Sequence, residues 1–358
     1  MQDLATRLES LKAGEATPAA MLQALAADIL AAAGLATTDA ATAAAILVQA
    51  QLQGIDSHGL AHLPVYVRRL CERSIKPDAA MVLSQAGPAA SVLDAGNGFG
   101  VLAAQKAMTE ALRLATGQGI GSCAVRNSSH FGAANYFAEM AAKQGMIGIV
   151  LSNAAPTMAP WGGREAILGT NPLAFAFPRD GQPPIVIDMA TSVVARGRIR
   201  KAAQAKAAIP ADWALDADGV PTTDAEAALH GTIQPMGGAK GYALALAIEL
   251  LCAGLAGGRP GFLVRNPHDP GPEPSGTSHC FIAIDAGHFS GRAAALQAVE
   301  AVAGRIQQSQ PAANAAPRLP GQRAATMYAE RSRHGIPVSP ALLDSLKAAA
   351  AMVMRAST

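Results

Sequence analysis

Charge is in short supply: Asp, Glu, Lys and Arg make up 15% of the 358 residues and nearly cancel, to a net +2. That excludes the composition of a disordered chain and the basic surface of an electrostatic nucleic-acid binder. Cysteine is sparse as well. Cys71, Cys123, Cys252 and Cys280 lie far apart with no Cys-x-x-Cys pair, which argues against a structural zinc site or a disulfide framework and for reduced thiols in a cytosolic (cytoplasmic) protein. No apolar run nears the ~18 residues of a membrane span, and Met1-Gln2-Asp3-Leu4 lacks a basic region followed by an apolar one. What the chain does have is apolar surface: half of its residues are hydrophobic, enough for a large core. Its length exceeds the ~250 to 300 residues of one core, so two or three domains are expected.

Pro18 to Ala33 and Thr38 to Gln53 are rich in Ala, Leu and Ile, with Gly34 and Gly54 after them and Thr37, Thr38 or Asp39 available as a cap. This predicts two helices joined by a short loop and packed as a hairpin. Gly54 ends the second by taking the left-handed backbone that other residues avoid, and Ile55-Asp56-Ser57-His58-Gly59-Leu60 follows. A hydroxyl and an imidazole thus stand side by side on a loop held by a rigid scaffold. Histidine, with an unperturbed pKa of about 6.5, gives or takes a proton near neutral pH, so Ser57-His58 is a candidate for proton transfer. The alternative is a helix stop followed by a surface histidine. Pro64 to Leu70 reads as a further helix, whose Arg68 and Arg69 serve either a substrate carboxylate or the solvent. His58 and His62 have the i, i+4 spacing of two metal ligands, but the intervening Gly59, Leu60 and Ala61 include no glutamate and no third ligand is evident, which leaves a metal hydrolase unsupported.

From there short apolar strands alternate with turns of small residues. Ala89 to Leu93 reads as a strand that runs through Asp94-Ala95-Gly96-Asn97-Gly98-Phe99-Gly100 into a helix, Leu102 to Thr116. The spacing is Gly-x-Gly-x-Gly and no acidic residue ends a second strand about 20 residues on, so the stretch is a tight turn and not a dinucleotide fingerprint. Gly119 to Val125, Met146 to Leu151, Leu173 to Phe177, Ile185 to Ile187 and Cys280 to Asp285 read as further strands. Asn127 to Ala134 enters a helix that runs through Lys143, and Met236 to Gly241 opens the apolar helix Tyr242 to Cys252. Backbone N–H groups left free at such helix starts, with Lys240 at the second, suit an anion such as a phosphate. The order is wrong for a Walker A loop, which speaks against ATP. His130 is equally readable as a satisfied turn histidine and Asp188 as a helix cap. Gly254 to Ser278 is too long for a bare connection and reads as a mobile cover. Helices at Ala293 to Gln307 and Pro340 to Met354 flank a Pro/Ala-rich linker.

Asp56-Ser57-His58-Gly59, Asn127 to Ala134, Ala159 to Gly163, Gly169 to Pro172, Asp188 to Ser192, Gly237 to Gly241 and Pro320-Gly321 come in an order that resembles the malate/L-lactate dehydrogenase family. The resemblance runs from about residue 20 to about residue 345. This family also holds sulfolactate and ureidoglycolate dehydrogenases, diketogulonate reductase and the piperideine/pyrroline-2-carboxylate reductases, and it lacks the classical dinucleotide fold. The resemblance implies a mixed α/β fold with a non-Rossmann cofactor-binding domain and a largely antiparallel sheet. Residues 1–75 with 310–358 would form a helical domain, residues 76–309 an α/β region of two interleaved subdomains, and the protein a homodimer. It implies NAD or NADP and a small 2-hydroxy or 2-oxo carboxylate, with a cyclic imine as the alternative substrate and no nucleic-acid or membrane partner. A non-catalytic protein that kept the nucleotide site is the rival from another class. By residue, it makes His58 the proton-exchanging histidine, with Ser57 beside it and Asp188 completing a relay. His130, a catalytic candidate too, would join Phe131, Gly132, Ala133, Ala134, Ser152, Asp188, Met189, Ala190, Lys240, Gly241, Gly321, Gln322 and Arg323 in holding the cofactor, and Thr170 would touch the substrate. His62 is the expected substrate-binding residue where many members carry an arginine for the carboxylate.

Overall fold

The computed structural model describes residues 2–313 and 315–356. The chain opens with α1 (Gln2–Ser10), β1 (Ala16–Thr17) and the expected helical hairpin, α2 (Ala19–Ala32) against α3 (Thr37–Leu52), then passes through two short 3-10 turns into α4 (Leu63–Cys71). Next come β2 (Val82–Gly87), β3 (Ala90–Asp94), α5 (Gly100–Gln118), β4 (Ile120–Ser128), α6 (Ala134–Ala142), β5 (Ile147–Ser152), β6 (Leu173–Phe177) and β7 (Ile185–Met189). A smaller group, α7 (Arg196–Gln204), β8 (Ala214–Leu215), α8 (Ala225–His230) and β9 (Thr232–Ile233), precedes α9 (Ala239–Glu249). The chain returns as β10 (Thr277–Ile284), α10 (Arg292–Gln307), α11 (Gln322–His334), β11 (Ile336–Pro337) and α12 (Pro340–Ala356).

Seven strands form one sheet in the order β2-β3-β4-β10-β5-β6-β7. β3 and β4 run parallel and the other pairs antiparallel. The sheet is therefore mixed, where the resemblance implied a largely antiparallel one. The reason is α5: a helix between two adjacent strands carries the chain back to its starting edge and forces a parallel pair.

Alternation of side chains along the strands covers the sheet on both faces. Phe281, Val150 and Ala174 point into the main core with α2–α6 and α12, whereas their neighbours Cys280, Leu151 and Leu173 meet Ile248 of α9 and Cys252 beyond it. A separate core, including Met158, Leu168, Ile199, Ala214 and Ala245, lies under α7 to α9. The register of β7 on β6 pairs Asp188 with Ala174 and Met189 with Leu173, so Asp188 takes the α6 face of the sheet and Met189 the α9 face. The two chain ends meet: β1 pairs with β11, and α12 packs on α4 and the second 3-10 turn.

Candidate active site

α3 runs through the main core and stops at Leu52, Gln53 caps it, and Gly54 takes φ +70° as the sequence requires. The turns Asp56–His58 and Leu60–His62 follow. Gly59, between them, lies so close to α3 that a Cβ there would stand 2.8 Å from Gln51 Oε1 and 3.0 Å from the Leu47 carbonyl. That approach fixes where Ser57 and His58 emerge. Asp56 is held from both sides, accepting from Gln51 Nε2 at 2.7 Å and from Arg331 Nη1 of α11 at 2.8 Å.

Three imidazoles gather here. The His62 ring stacks on His130 at 4.7 Å between centroids, and His58 lies 5.7 Å from His130 and 6.2 Å from His62, nearly parallel to the latter. His130 arrives from the turn after β4. Gly100 at the start of α5 packs so tightly under that turn that a Cβ would reach the Ser129 carbonyl oxygen at 2.0 Å, and the Gly100 N–H donates to Ser129 Oγ at 2.8 Å. Gly100 thus supports the His130 turn through close packing.

Hydrogen bonds separate the roles of two of the rings. His130 Nδ1 accepts from the Gly132 N–H at 3.3 Å, and an amide donates only, so Tyr66 Oη, 2.7 Å from the same nitrogen, donates too. His130 is thereby fixed as the tautomer with its proton on Nε2, and protonating Nδ1 would set two N–H groups against each other. His58 Nδ1 bonds Ser57 Oγ at 2.9 Å, and a hydroxyl donates or accepts as needed. His58 therefore keeps its bond in either protonation state, and its Nε2 has no protein partner among the described residues. Burial lowers the pKa of His58. Burial, then His58 and His268, take His62 down to about 4 against the opposing Ser57 backbone, and burial followed by the neighbouring histidines puts His130 well below the usual imidazole value. All three residues are part-buried; the protein around them removes much of the water that would hydrate a cation.

Asp188, at the end of β7, accepts from the Asn135 N–H in the first turn of α6 at 3.0 Å. The residue is exposed on this edge strand, yet neighbouring protein crowds the carboxylate enough to strip part of its hydration. Loss of hydration pushes its pKa up to about 6, with the Asn135 amide pulling down and Glu139 adding to the rise. The charge itself suits the positive end of a helix.

A second group of candidate residues is built on backbone turns. α9 starts at Ala239 with no side-chain cap, so its first amides are free, and Lys240 beside them is exposed with no ion pair among the described residues. The exposed Trp161 ring lies against Gly238, 3.1 Å from where a Cβ would stand. Buried polar side chains hold these turns. Glu249 Oε1 accepts from Asn153 Nδ2 at 3.1 Å and from the Gly261 N–H at 2.7 Å, and its Oε2 accepts from Asn171 Nδ2 at 3.0 Å. On the other face His279 bridges Ser152 Oγ (2.8 Å) and Ser128 Oγ (2.9 Å), and Ser152 Oγ donates to the Asn153 carbonyl at 2.7 Å. A helix start with free amides, an unpaired ammonium and a flat exposed ring fit a nucleotide cofactor with phosphates and planar rings.

The sequence model of the malate/L-lactate dehydrogenase family matches residues 17–347. The chain belongs to that family. It is 38% identical over 343 residues to a (2R)-3-sulfolactate dehydrogenase (NADP(+)) of Chromohalobacter salexigens, covering 96% of this chain and 98% of that protein. It is 36% identical over 329 residues to a Delta(1)-pyrroline-2-carboxylate reductase of Burkholderia ambifaria, covering 91% and 94%. The solved sulfolactate dehydrogenase of Methanocaldococcus jannaschii superposes with a TM-score of 0.87 at 37% identity over 95% of this chain and 97% of that one.

Within this dehydrogenase fold, the structure brings His58, Ser57, His62 and His130 together, with the Phe131–Ala134 turn directly after His130, and joins Asp188 to the start of α6. The hydrogen bond of Asp188 is to Asn135 and that of His58 to Ser57. Thr170 joins the end of β7 by accepting at its carbonyl from Thr191, with Met189 and Ala190 between. Lys240 and Gly241 open α9. Pro320 accepts from the Val186 N–H, which sets Gly321, Gln322 and the exposed Arg323 beside β7. Ser152 is buried and its hydroxyl is spent on Asn153 and His279. The segment from Gly254 to Ser278 is tied to α4, with Pro267 accepting from Arg68 Nη2 at 3.0 Å and the Gly271 N–H donating to Glu72 at 3.1 Å. This places His268 5.7 Å from His62, edge on. Sequence reasoning missed Asn135, Glu139, Glu249, His268 and His279. The signal for four of these was a polar or charged residue inside an apolar helix or strand, a placement tolerated only when hydrogen-bonded.

Proposed function

We propose that the protein transfers a hydride between NAD or NADP and a small 2-hydroxy or 2-oxo carboxylate, with His58 exchanging the proton. The observation that carries this is the Ser57–His58 pair: an imidazole kept neutral by burial, oriented at Nδ1 and open at Nε2. When bound, the nicotinamide would take the hydride from the carbinol carbon. His58 Nε2 would accept the hydroxyl proton as the C–O bond becomes a carbonyl, and would return it in the reverse direction. Ser57 would keep the ring oriented through both states. His130, with its proton fixed on Nε2, would donate a hydrogen bond and not exchange it. Asp188 would act on the cleft through α6. Lys240, Gly241 and the α9 amides would hold the cofactor phosphates, and the Phe131–Ala134 turn, Met189, Ala190 and Gly321 to Arg323 its remaining length. Thr170 and His62 would bind the substrate.

A second reading has its own support. His62, with a pKa near 4, is a neutral donor at neutral pH and not a carboxylate-clamping cation. Arg68 donates to the Pro267 carbonyl and keeps a buried Nε without a partner, and with Arg69 and Arg200 it acts on His268 beside His62, so positive charge lies near the site but not at His62 itself. A neutral donor at that position suits a cyclic imine, whose protonated ring nitrogen offsets its own carboxylate, and a pyrroline-2-carboxylate reductase is among the relatives. We propose the hydroxy acid reading as the principal one, for a cytoplasmic homodimer; the exposed Leu250, Leu251 and Leu255 after α9 supply an apolar face for association. Values of kcat/KM for a set of 2-oxo acids, pyrroline-2-carboxylate and piperideine-2-carboxylate, each with NADH and NADPH, test it. Preference for either imine overturns the principal reading, and sedimentation as a monomer overturns the dimer.

A further inference from the structure

Between the end of α3 and the start of α6 lies a buried polar cluster. Gln53, Asn135 and Glu139 are 5%, 2% and 8% exposed. Gln53 Nε2 donates to Glu139 Oε1 at 2.8 Å. Asn135 Nδ2 donates to the same oxygen at 3.0 Å and to Gln53 Oε1 at 2.8 Å. A carboxylate in such a place costs free energy that packed apolar side chains would not, and the cluster is not even complete, since Asn135 Oδ1 is buried without a partner. Its placement explains it better than stability does. Gln53 caps α3 and hands the chain to Gly54 and the Ser57-His58 turn. Asn135 supplies, from its backbone, the N–H that binds Asp188. Glu139 joins the two.

We infer that Glu139 is a positioning residue for proton transfer, fixing through Gln53 the helix end that delivers Ser57 and His58, and through Asn135 the amide that holds Asp188. This rests on the roles proposed above for His58 and Asp188. Glu139 acts by charge as well as by geometry, because it adds to the rise of Asp188. Burial raises Glu139 itself, opposed by Gln53, Lys143 and Asn135. The charged groups around the cluster are few. Lys143 lies one turn further along α6, its ammonium 5.9 Å over the Tyr136 ring. Asp188 faces it from β7, and Arg331 of α11 is engaged by Asp56.

Two substitutions separate geometry from charge. Glu139→Gln keeps an oxygen that accepts from both amides but removes the charge, so the acidic limb of the kcat/KM profile should move to lower pH, by about half a unit or more. Glu139→Ala removes the junction, and kcat should fall roughly tenfold or more with the cofactor KM little changed. In an Asp188→Asn background Glu139→Gln should no longer move the limb. Wild-type kcat and an unmoved profile in both single variants, with only a lower Tm, would show a purely structural residue and overturn the inference. If Glu139→Ala does not fold, an unmoved profile in Glu139→Gln overturns it alone. If Asp188→Asn is fully active, the proposed role of Asp188 fails instead. Glu139 is then judged without turnover, by the ring-nitrogen NMR shifts of His58: altered shifts in Glu139→Ala support the inference and unaltered ones overturn it.

Discussion

The centre of the sheet and the turn after α3 each hold an imidazole whose charged form burial disfavours, and they hold it in opposite ways. His279 is fully buried, with both ring nitrogens bonded to serines of the neighbouring strands and Phe131 edge on against it at 4.6 Å. Because Ser152 Oγ donates to the Asn153 carbonyl, it accepts from His279 Nδ1–H, which leaves Nε2 of the neutral ring to accept from Ser128 Oγ. His58 has one nitrogen bonded and the other open. Desolvation lowers both pKa values, that of His279 to about 3, so a shifted pKa does not tell the reactive group from the structural one. Unused hydrogen-bonding capacity does: a group that must exchange a proton has a free nitrogen and a partner able to reverse.

The largest expected effect breaks the pair apart. His58→Asn should lower kcat at least about 100-fold, the lower range for general acid/base catalysis, with Tm and cofactor Kd nearly unchanged; His130→Asn giving that pattern in place of His58→Asn would exchange their roles. His279→Ala should do the converse, costing roughly 1–3 kcal/mol in denaturant unfolding because two buried serines lose their partner. The same residue predicts a pH effect. Below about 6.5 the unfolded chain takes up a proton that folded His279, at about 3, refuses. Stability should therefore fall with pH across that window, by up to ~1.4 kcal/mol per unit, and His279→Ala should flatten the slope.

Smaller effects sharpen the contrast on the cofactor and substrate sides. Lys240→Ala should raise the cofactor Kd about tenfold, the scale of one hydrogen bond to a charged group; an unchanged titration removes Lys240 from the site. The smallest expected effect is none at all. An arginine or a protonated histidine would make carboxylate binding a matter of fixed charge, but His62 titrates near 4. The KM for a 2-oxo acid should accordingly be flat from pH 6 to 8 as far as His62 is concerned. A rise across that range would show His62 binding as a cation, and His62→Arg should then abolish the rise.

The elements with strong patterns were legible in the chain itself. The α2–α3 hairpin, the stop at Gly54 and the strands β4 to β7 follow from apolar runs bounded by turn residues. α11 was not legible, because its thirteen residues include none that is buried, so it carries no apolar stripe to read. α7 buries only Ile199, and β2 is exposed at nearly every position; both owe their form to neighbours. In the site, local motifs marked His58, His130 and Lys240, whereas Glu139 and Gln53, eighty-six residues apart, are related only by the fold. The mixed sheet, too, depends on which edge α5 returns to, which no local pattern specifies.

Arg331 reaches back across 275 residues to Asp56, and α12 beside it packs on the turn that carries His62. Closing so long a loop costs entropy that nearby contacts do not. In synthesis, every histidine of the cluster is therefore made long before the helices that lock it. A nascent chain halted ahead of α11 would carry the histidine cluster without the clasp, so that the cluster is fixed in place only once α11 and α12 have been made.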